Sequence, residues 1–376
     1  MKILLFANTD WYLFNFRLSL AQALRADGNN IVLVSPSGKY SARLLAAGFR
    51  WIEFPLSRRG TNPLFEIMTV ARLRGLYRQE KPDFVHHFTI KCVLYGSLAA
   101  RLAGVKRIIN AITGLGYVFI GTNQRTNRLL FMVKSLYRLA LRSTRVIFQN
   151  VDDRALFLEM GLVSPAQTSL IEGSGVDTQR FIPVPEPEGI PLVVLPARLL
   201  WDKGVGEFVE AARLLRAEGI PARFALVGDT DPDNPAGVPE QRLHDWQAEG
   251  VVECLGWQED MSSIYGRANI VCLPSYREGL PRTLVEAAAC GRALVASDVP
   301  GCRGIVHNAE NGLLVKVRDG QALAAALKTV LLDPALRQEM GKRGRAMVEA
   351  GFSVEKVVSE TLQVYRGLGL TQGAPA

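Results

Sequence analysis

Short apolar runs alternate with helical patterns along the chain, and this alternation constrains the fold more than any other sequence feature. The strands predicted in the first half are residues 3–7, 31–35, 51–54, 84–88, 107–111 and 146–149. Helical stretches such as 16–26, 40–47, 64–79 and 93–103 separate them. Strands that alternate with helices predict parallel sheets joined by right-handed crossovers.

The alternation restarts after a proline-rich segment, FIPVPEPEGIP, at residues 181–191. Four prolines and a glycine among these eleven residues predict a linker. The strands predicted after it are 192–196, 224–227, 251–254, 269–273, 294–296 and 312–315. We therefore expect an α/β protein with two doubly wound domains: residues 1–185, joined by a final helix at 353–369, and residues 190–352. Ligands of such domains bind beyond the carboxyl ends of the strands, and two domains facing each other would form a cleft.

The bulk composition agrees with two globular domains, because 48% of the 376 residues are hydrophobic and 21% are charged. No uncharged apolar run reaches the roughly 18 residues that span a bilayer. The opening MKILLFANTD predicts a first strand rather than a signal peptide. The five cysteines, at positions 92, 254, 272, 290 and 302, form no CxxC pair. We expect reduced thiols in the cytosol and no metal ligation.

Positive charge is concentrated in the first half. The net charge is +8, but residues 1–185 hold 24 basic and 11 acidic side chains, whereas the remainder holds 20 and 25. Residues 101–145 contain nine basic side chains and no acidic one. This segregation indicates an anionic partner, which is a nucleic acid, a lipid surface or a phosphorylated substrate.

The segment 125–145 combines basic and apolar positions at helical spacing. Its basic residues are Arg125, Arg128, Lys134, Arg138, Arg142 and Arg145. One interpretation is a cationic amphipathic helix on a membrane surface; the other is a helix whose apolar side packs in the core while the cations are solvated. The lack of acidic residues in this region favours anionic lipid.

Several residues that follow predicted strands of the first half are candidates for an acceptor site. They are Arg17, Arg58, Arg59, Lys91, Thr113 and Gly114. Arg17 near a helix start is unfavourable for the helix dipole, and an anionic ligand would offset this repulsion. Arg58 and Arg59 suit a diphosphate, because a guanidinium donates two hydrogen bonds. For each arginine the alternative is a solvated surface charge.

His86 and His87 end the fourth predicted strand. Neighbouring strand residues point to opposite faces, so only one of them faces a given side. That histidine would act as a general base or contact an acceptor; the alternative is a structural role. The sequence does not choose between them.

The first turn of the chain, ANTDWYLFNF, has no glycine. A dinucleotide-binding turn needs the pattern GxGxxG between the first strand and the first helix. An NAD-dependent oxidoreductase is therefore not expected, even though the sheets are doubly wound.

Arg198 and Lys203 stand five positions apart in the first strand-to-helix turn of the second half, PARLLWDKGVGEF. Two cations at a helix N-terminus, with Gly204 and Gly206 beside them, suit a diphosphate. Further along, Gly228 permits close backbone approach to a ligand, and Gly256 with Trp257 suits a flat base; a core role for Trp257 is the alternative.

The acidic turn at 229–233 is not predicted to be a calcium site. Asp229, Asp231 and Asp233 have the spacing of a calcium loop. The glycine that such a loop requires directly after the third acidic residue is missing, because Asn234 and Pro235 follow Asp233.

The stretch NIVCLPSYREGLPRTLVEAAACGRALVASD, residues 269–298, predicts a strand, a loop, a helix and a strand. Pro281 opens the helix, where its missing N–H costs nothing. Backbone N–H groups at 282–284 can donate to phosphate oxygens. Glu286 lies about 8 Å along the helix axis from Pro281, where a carboxylate can accept the hydroxyls of a ribose. Glu278, in the loop, can reach sugar hydroxyls beyond the diphosphate.

These residues resemble a known family. Glu278, Gly279, Pro281 and Glu286 resemble the E-x7-E motif of the retaining GT-B glycosyltransferases of family GT4, and Arg198 with Lys203 resembles its R-x4-K pair. Residues 175–177 and Phe181 are similar to its interdomain motif. In the first half, HHFTIK, INAITGLGYVF and SRRGTNP resemble a bacterial branch that extends undecaprenyl-diphosphate-linked sugars in O-antigen, capsule or N-glycan assembly. The first turn departs from many relatives, which carry paired glycines there.

The resemblance implies the GT-B fold and transfer of a sugar, such as an N-acetylated hexosamine, from a UDP-sugar with retention at the anomeric carbon. It implies no cofactor beyond the UDP-sugar and no metal, with Glu278, His86 and His87 as catalytic candidates. The donor-binding candidates are Arg198, Lys203, Gly228, Gly256, Trp257, Gly279, Leu280, Pro281, Thr283, Leu284 and Glu286. The expected partners are a lipid-linked diphosphate sugar and an anionic inner-leaflet surface at 125–145, not nucleic acid. The expected location is peripheral, on the cytoplasmic face of the inner membrane.

Two other functions remain open from the sequence. A nucleotide-sugar 2-epimerase has the same architecture and needs no acceptor. A non-enzymatic module that binds an anion such as nucleic acid would use the cationic half but would leave Glu278 and Glu286 without a role.

Overall fold

A computed structural model describes residues 1–56, 63–114, 124–231 and 234–371; for residue 63 and residues 124–132 it describes the backbone alone. By contacts the chain divides into two compact units. The first comprises Met1–Ser174 and Glu355–Ala376, and the second comprises Gly175–Val354.

The first unit is built on a parallel sheet of strands β1 to β7. In chain order they are Lys2–Phe6, Asn30–Ser35, Arg50–Glu53, Phe84–Phe88, Arg107–Ile112, Arg145–Phe148 and Thr168–Leu170. Their order in the sheet is β3-β2-β1-β4-β5-β6-β7. The strand order reverses between β1 and β4, where Leu4 pairs with Val85. In open α/β sheets this reversal point, at the carboxyl ends of the strands, is where ligands bind.

Helices connect these strands. They are α1 (Asp10–Tyr12), a π-helical turn (Leu13–Arg17), α2 (Leu18–Ala26), α3 (Ser41–Ala46), α4 (Pro63–Glu80), α5 (Ile90–Ala103), α6 (Gln124–Leu141), α7 (Val151–Glu159) and a 3-10 turn (Pro165–Gln167). They cover both faces of the sheet, which is why its strands are near-continuous apolar runs.

The second unit repeats this plan with six parallel strands, β8 to β13. They are Leu192–Pro196, Arg223–Val227, Glu253–Cys254, Ile270–Leu273, Ala293–Ser297 and Gly312–Val315, in the order β10-β9-β8-β11-β12-β13. A 3-10 turn (Trp201–Lys203) precedes helices α8 (Val205–Ala217), α9 (Glu240–Ala248), α10 (Met261–Arg267), α11 (Arg282–Ala289), α12 (Cys302–Ile305), α13 (Gly320–Leu332) and α14 (Pro334–Gly351). The order reverses between β8 and β11.

The last helix, α15 (Val354–Gly367), packs in the first unit. Its Tyr365 is fully buried in the apolar cluster that holds Leu5 and Phe88 on one face of the sheet. On the opposite face Phe6 packs with Leu73 of α4. Each such buried side chain contributes about 1.5–3 kcal/mol by leaving water.

The α/β class and the two doubly wound parallel sheets predicted from the sequence are confirmed. The predicted strands begin and end within two residues of the observed ones, and β4, β8 and β13 have the predicted bounds. Strand β7 was not predicted, because its three residues, TSL, are half-buried at the sheet edge and show no apolar run.

The prediction of one continuous basic helix over residues 125–145 is wrong at its end. Helix α6 ends at Leu141, Ser143 adopts a left-handed φ of 58°, and Arg145 begins strand β6 beside Ile109. In the last turns of the helix, Tyr137, Ala140 and Leu141 are fully buried in an apolar cluster. That part of the apolar side is therefore core, and it is not available to lipid.

The proline-rich segment 181–191 belongs to the second unit. The Phe181 side chain is buried, and its carbonyl oxygen accepts a hydrogen bond from Arg345 of α14 at 2.7 Å. The Val184 carbonyl oxygen accepts one from Arg292 at 2.9 Å. The division by contacts falls at Ser174, ahead of this segment.

None of the helices in the described ranges is both long enough and apolar enough to cross a membrane.

Candidate functional site

Strands β8 and β11 lie side by side at the centre of the second sheet, where the strand order reverses. The predicted cations follow β8, and the predicted carboxylates follow β11. The carboxyl ends of adjacent parallel strands meet at one edge of the sheet. The topology therefore brings together two motifs that are far apart in sequence.

Two close backbone contacts fix these two loops against each other. Gly204 has a φ of 74°, and a Cβ placed on it would lie 2.2 Å from the carbonyl oxygen of Pro274. The N–H of Tyr276 donates to the carbonyl oxygen of Asp202 at 2.9 Å. Only glycine tolerates both the left-handed conformation and this approach. The β8 loop is thereby held directly on the β11 loop.

Lys203 and Glu278 form the central contact of the site. Lys203 Nζ lies 2.5 Å from Glu278 Oε1, and the two side chains are 21% and 13% exposed. Lysine and glutamate at this distance form a charge-assisted hydrogen bond. Arg198 is more open: it is 53% exposed and donates to Asp231 Oδ2 at 3.3 Å.

Helix α11 begins at the same sheet edge. Pro281 is its N-cap, with φ −74° and ψ 107°, so the helix starts at Arg282, one residue later than predicted. No side chain caps the helix. Of the predicted N–H donors, that of Leu284 is bonded to the Pro281 carbonyl oxygen at 3.1 Å. The positive end of the helix dipole nevertheless points out of this edge, where it favours an anion.

Glu286 lies on α11 and is only 8% exposed. Its Oε1 accepts a hydrogen bond from Arg282 Nε at 2.7 Å, and its Oε2 accepts one from the Tyr265 hydroxyl at 3.1 Å. Burial, and then the charge of Glu286, raises the pKa of Tyr265 well above its usual value. Tyr265 therefore stays a hydrogen-bond donor and fixes the carboxylate.

No sequence motif identifies Tyr265 as a site residue. It lies in the short helix α10, is fully buried, and belongs to no motif. No local pattern distinguishes it from a core tyrosine, so only the fold shows that it contacts Glu286.

Three further predicted residues surround the loop and the helix start. Gly279 and Leu280, in the loop, and Thr283, in the first turn of α11, are half-buried. They lie between Glu278 and Glu286 in the chain and line the same segment.

The glycines after β9 and β10 have a backbone role. A Cβ on Gly228 would lie 2.0 Å from the Ala197 carbonyl oxygen, and the Gly228 N–H donates to the Gly256 carbonyl oxygen at 2.9 Å. Gly228 is thus required by the crossing of two protein segments. Trp257 is 51% exposed, and its N–H donates to Asp229 Oδ1 at 3.0 Å. Its exposed ring offers a flat apolar surface.

Among the described residues, no group of three or more His, Cys, Asp or Glu side chains could hold a metal ion. The acidic turn after β9 includes residues 232 and 233, which lie outside the described ranges.

In the first unit, His87 is fully buried on the side of α4 and α5. Its Nε2 lies 3.0 Å from the Tyr77 hydroxyl, and its Nδ1 lies 3.0 Å from Asn110 Oδ1. Burial lowers the pKa of His87 to about 4. The ring is therefore neutral at neutral pH, and both nitrogens are engaged in linking a helix to a strand.

His86 points to the opposite face, as strand geometry requires. Its Nδ1 lies 3.0 Å from the Tyr365 hydroxyl, and its Nε2 is enclosed without a hydrogen-bond partner among the described residues. Burial lowers its pKa well below the usual value, and the charges of Arg17 and His87 add to the effect.

Arg17 ends the π-helical turn after β1 and is buried, with 5% of its surface exposed. Its Nη2 donates to the Tyr12 hydroxyl at 2.8 Å, and its guanidinium carbon lies 4.4 Å from the Phe88 ring centre. Its Nε is enclosed and has no hydrogen-bond partner in the described part of the chain. The His86 ring lies 4.1 Å from the same Phe88 ring. Arg17 and His86 thus flank one phenylalanine at the reversal point of the first sheet.

The buried carboxylate of the same turn does not pair with this cation. Asp10 accepts hydrogen bonds from the N–H groups of Trp11 and Tyr40 and from the Ser41 hydroxyl. The cation of Arg17 is therefore balanced by a phenol oxygen and aromatic faces.

Three other predicted acceptor residues follow the neighbouring strands β4 and β5. Lys91 forms an ion pair with Glu66 at 2.6 Å. Thr113 and Gly114 follow β5 and are half-buried. Arg58 and Arg59 lie outside the described residues.

Comparison with known families agrees with this geometry. The family model described as glycosyl transferases group 1 matches residues 177–347. The model described as glycosyl transferase 4-like matches residues 2–150. Together the two models match most of both units.

These matches show that the chain is a glycosyltransferase. It is 29% identical over 356 residues to the N,N'-diacetylbacillosaminyl-diphospho-undecaprenol alpha-1,3-N-acetylgalactosaminyltransferase of Campylobacter jejuni, covering 91% of this chain and 92% of that one. It is 27% identical over 324 residues to the UDP-Gal:alpha-D-GlcNAc-diphosphoundecaprenol alpha-1,3-galactosyltransferase of Escherichia coli, covering 83% and 82%.

Solved structures show the same GT-B fold as this glycosyltransferase. A glycosyltransferase from Rickettsia africae superimposes with a TM-score of 0.79 at 18% identity, covering 98% of this chain and 99% of that chain. Anabaena HepE in complex with UDP and glucose gives a TM-score of 0.78 at 18% identity, covering 98% and 100%. The fold predicted from the resemblance is confirmed.

Replacing Tyr265 by phenylalanine tests its role as the residue that positions Glu286. Tyr265→Phe removes the hydrogen bond that the Tyr265 hydroxyl donates to the Glu286 carboxylate. We expect UDP to bind about three- to tenfold more weakly by calorimetry, the size of one hydrogen bond of about 1 kcal/mol, and KM for the nucleotide-sugar to rise with little change in kcat. Tyr77→Phe, which removes a buried hydroxyl beside His87, should leave UDP affinity unchanged. Equal effects of both variants on UDP binding would contradict the assignment.

Proposed function

We propose that this glycosyltransferase moves a sugar from a UDP-sugar to an undecaprenyl-diphosphate-linked saccharide, in the assembly of O-antigen, capsule or a related surface glycan. The activities of the two relatives support this, because both are named for transfer to diphospho-undecaprenol-linked sugars. The first transfers N-acetylgalactosamine, so we propose an N-acetylated hexosamine or a related sugar as the group transferred.

The contact between Lys203 and Glu278 carries the proposal for the donor. Lys203 Nζ lies 2.5 Å from Glu278 Oε1. We propose that the donor diphosphate binds Lys203 in place of Glu278, and that Arg198 and the N-terminus of α11 also contact it. Glu278 then accepts hydrogen bonds from the hydroxyls of the donor sugar, and Glu286 accepts hydrogen bonds from the ribose hydroxyls. A phosphate replaces a carboxylate on the same cation, so the exchange loses little charge pairing.

The chemistry follows from this placement. The bond between the anomeric carbon and the β-phosphate oxygen breaks, a bond from the acceptor hydroxyl to that carbon forms, and the hydroxyl proton passes to an oxygen of the departing β-phosphate. Negative charge grows on the departing UDP, where Lys203, Arg198 and the helix dipole stabilise it electrostatically. Glu278 orients the sugar without forming a bond to it, as the resemblance to retaining enzymes implies.

The donor site is tested by separating charge from shape. Glu278→Gln keeps the side-chain volume but frees Lys203 from its counter-ion. We expect turnover with UDP-sugar and lipid-linked acceptor to fall about a hundredfold or more, while UDP binds at least as tightly by calorimetry. Lys203→Met should weaken UDP binding about ten- to a hundredfold, the size of a charge-assisted hydrogen bond.

The matched control is Arg213→Met, which breaks the exposed pair between Arg213 and Glu249 in the same unit. It should leave UDP affinity and turnover unchanged. Wild-type turnover of Glu278→Gln, or unchanged UDP affinity of Lys203→Met, would contradict the proposal. Conversion of a UDP-sugar without any acceptor would identify an epimerase instead.

For the acceptor we propose that Arg17 and His86 bind a phosphate oxygen of the lipid-linked diphosphate. Burying a cation without a carboxylate costs several kcal/mol. Such a cost persists where the group serves function. The enclosed Nε2 of His86 is the second polar atom beside it. Lys91, Thr113 and Gly114 follow the neighbouring strands β4 and β5 and extend the proposed acceptor surface.

Arg17→Met tests this assignment through a trade between stability and binding. We expect the midpoint of thermal unfolding to stay the same or rise, because an uncompensated buried cation is removed. KM for the lipid-linked acceptor should rise about tenfold or more, with unchanged UDP affinity. The control is Arg25→Met, because the Arg25 guanidinium carbon also lies over a phenylalanine ring, 4.2 Å from the ring centre of Phe49. This variant should leave KM for the acceptor unchanged. A clear loss of thermal stability with unchanged KM for the acceptor would make Arg17 a structural residue.

The location follows from the proposed acceptor. We propose that the first unit is the acceptor-binding domain and works against an anionic membrane surface on the cytoplasmic side, and that the second unit is the nucleotide-sugar domain. The excess of basic residues in the first half supports this division. Among the described side chains of α6, Arg138 is the exposed basic residue and Lys134 is half-buried, while the apolar side faces the core.

A further inference from the structure

The first turns of helix α4 expose an unusual group of large apolar side chains. Leu64 is 71% exposed, Phe65 and Ile67 are each 66% exposed, and Met68 is 47% exposed. We call these four residues the α4 tip. Other exposed apolar residues of the first unit, such as Leu102 and Leu139, stand singly. Four large apolar side chains within five positions form a patch, and such patches on soluble proteins mark interaction sites.

The acidic side chains of α4 do not interrupt this patch. Glu66, between Phe65 and Ile67, is paired with Lys91 at 2.6 Å and is 18% exposed. Glu80, at the other end of the helix, is buried and paired with Arg50 at 2.6 Å. Both carboxylates of the helix are therefore neutralised by partners from other elements.

The same helix face becomes basic beyond the tip. Arg72 and Arg78 are exposed and form no ion pair among the residues that the structure describes. At 100° per residue, Leu64, Met68 and Arg72 follow each other on one face at spacings of four. Arg72 lies about 12 Å along the axis from Leu64. An apolar tip followed by arginines matches the depth profile of a membrane interface, in which acyl chains lie beneath phosphates.

We propose that the α4 tip inserts into the interface of an anionic bilayer while Arg72 and Arg78 contact lipid phosphates. This inference rests on the proposed function, because a lipid-linked acceptor brings the protein to a membrane. The proposed membrane contact lies at α4 and not at the segment 125–145. The lipid chain of the acceptor enters from the same surface, so docking here would present the first unit to its substrate.

Charge favours a bilayer over a second copy of this chain as the occupant. A second copy would bring another basic surface, because residues 1–185 hold 24 basic and 11 acidic side chains. Like charges facing each other oppose association, whereas an anionic leaflet attracts juxtaposed arginines. Long arginine side chains also reach phosphates while their stems lie along apolar groups.

The test is co-sedimentation of the full chain with vesicles of phosphatidylcholine, with and without phosphatidylglycerol. We expect the wild type to pellet with the anionic vesicles. The double variant Phe65→Ser, Ile67→Ser should lose about tenfold or more in lipid affinity, because two large apolar side chains no longer leave water. Arg72→Gln with Arg78→Gln should weaken binding and reduce its dependence on salt. The control Leu102→Ser removes a solitary leucine of 59% exposure and should bind as the wild type does.

UDP affinity by calorimetry reports the fold of the second unit, and thermal unfolding reports that of the whole chain; both should be unchanged in the tip variant. Wild-type vesicle binding by that variant would overturn the proposal. A second contradicting result would be a wild-type dimer in lipid-free sedimentation velocity that the tip variant fails to form. The patch would then be an interface between copies of the chain. Transfer to a short-chain, detergent-soluble acceptor should stay at the wild-type rate. If the wild type transfers to no acceptor yet binds vesicles through the tip, the proposed function fails and this inference stands.

Discussion

The contact of Gly204 with the Pro274 carbonyl is the constraint on which the functional site depends. It fixes the loop after β8 against the loop after β11 at the one edge where the strand order reverses. Lys203 and Glu278 meet only because the backbones are that close. A side chain at position 204 would have to push the loops apart in a conformation that only glycine adopts easily. The charges of the site are thus set by backbone packing, not by side-chain reach.

Both units place uncommon electrostatics at their reversal points. In the second unit, two ion pairs hold carboxylates and cations beside a helix start without a side-chain cap. In the first unit, a buried arginine lies between aromatic faces beside a neutral histidine. Ordinary packing does not explain the second arrangement, because Arg17 is buried without a carboxylate partner among the described residues. The fold repeats, and each copy carries its own polar chemistry.

The repeating strand pattern and the motif spacing in the sequence predicted the sheets and the main residues of the donor site. The strands, their parallel order and the residues Arg198, Lys203, Glu278 and Glu286 follow from apolar period and from motif spacing. It did not predict that Lys203 and Glu278 touch, because each was assigned to a different part of a ligand. Tyr265 gave no signal, since a buried tyrosine outside a motif resembles any core residue.

The membrane contact shows the limit of pattern reading. The amphipathic stripe at 125–145 indicated a lipid surface, yet its described apolar side is core, and the strand β6 begins within it. Helical period shows that a face is apolar but not what covers that face. The α4 tip is found only from exposure, which depends on the whole fold. In the same way, only the fold shows that the close Ala197 carbonyl oxygen requires glycine at position 228.

The central claim is that the nucleotide diphosphate replaces Glu278 as the partner of Lys203. The most direct test is a crystal structure of this glycosyltransferase with UDP. We predict that Lys203 Nζ, which lies 2.5 Å from Glu278 Oε1, instead contacts a phosphate oxygen at the start of α11, with the ribose hydroxyls on Glu286. UDP bound elsewhere, with the pair of Lys203 and Glu278 still intact, would contradict it.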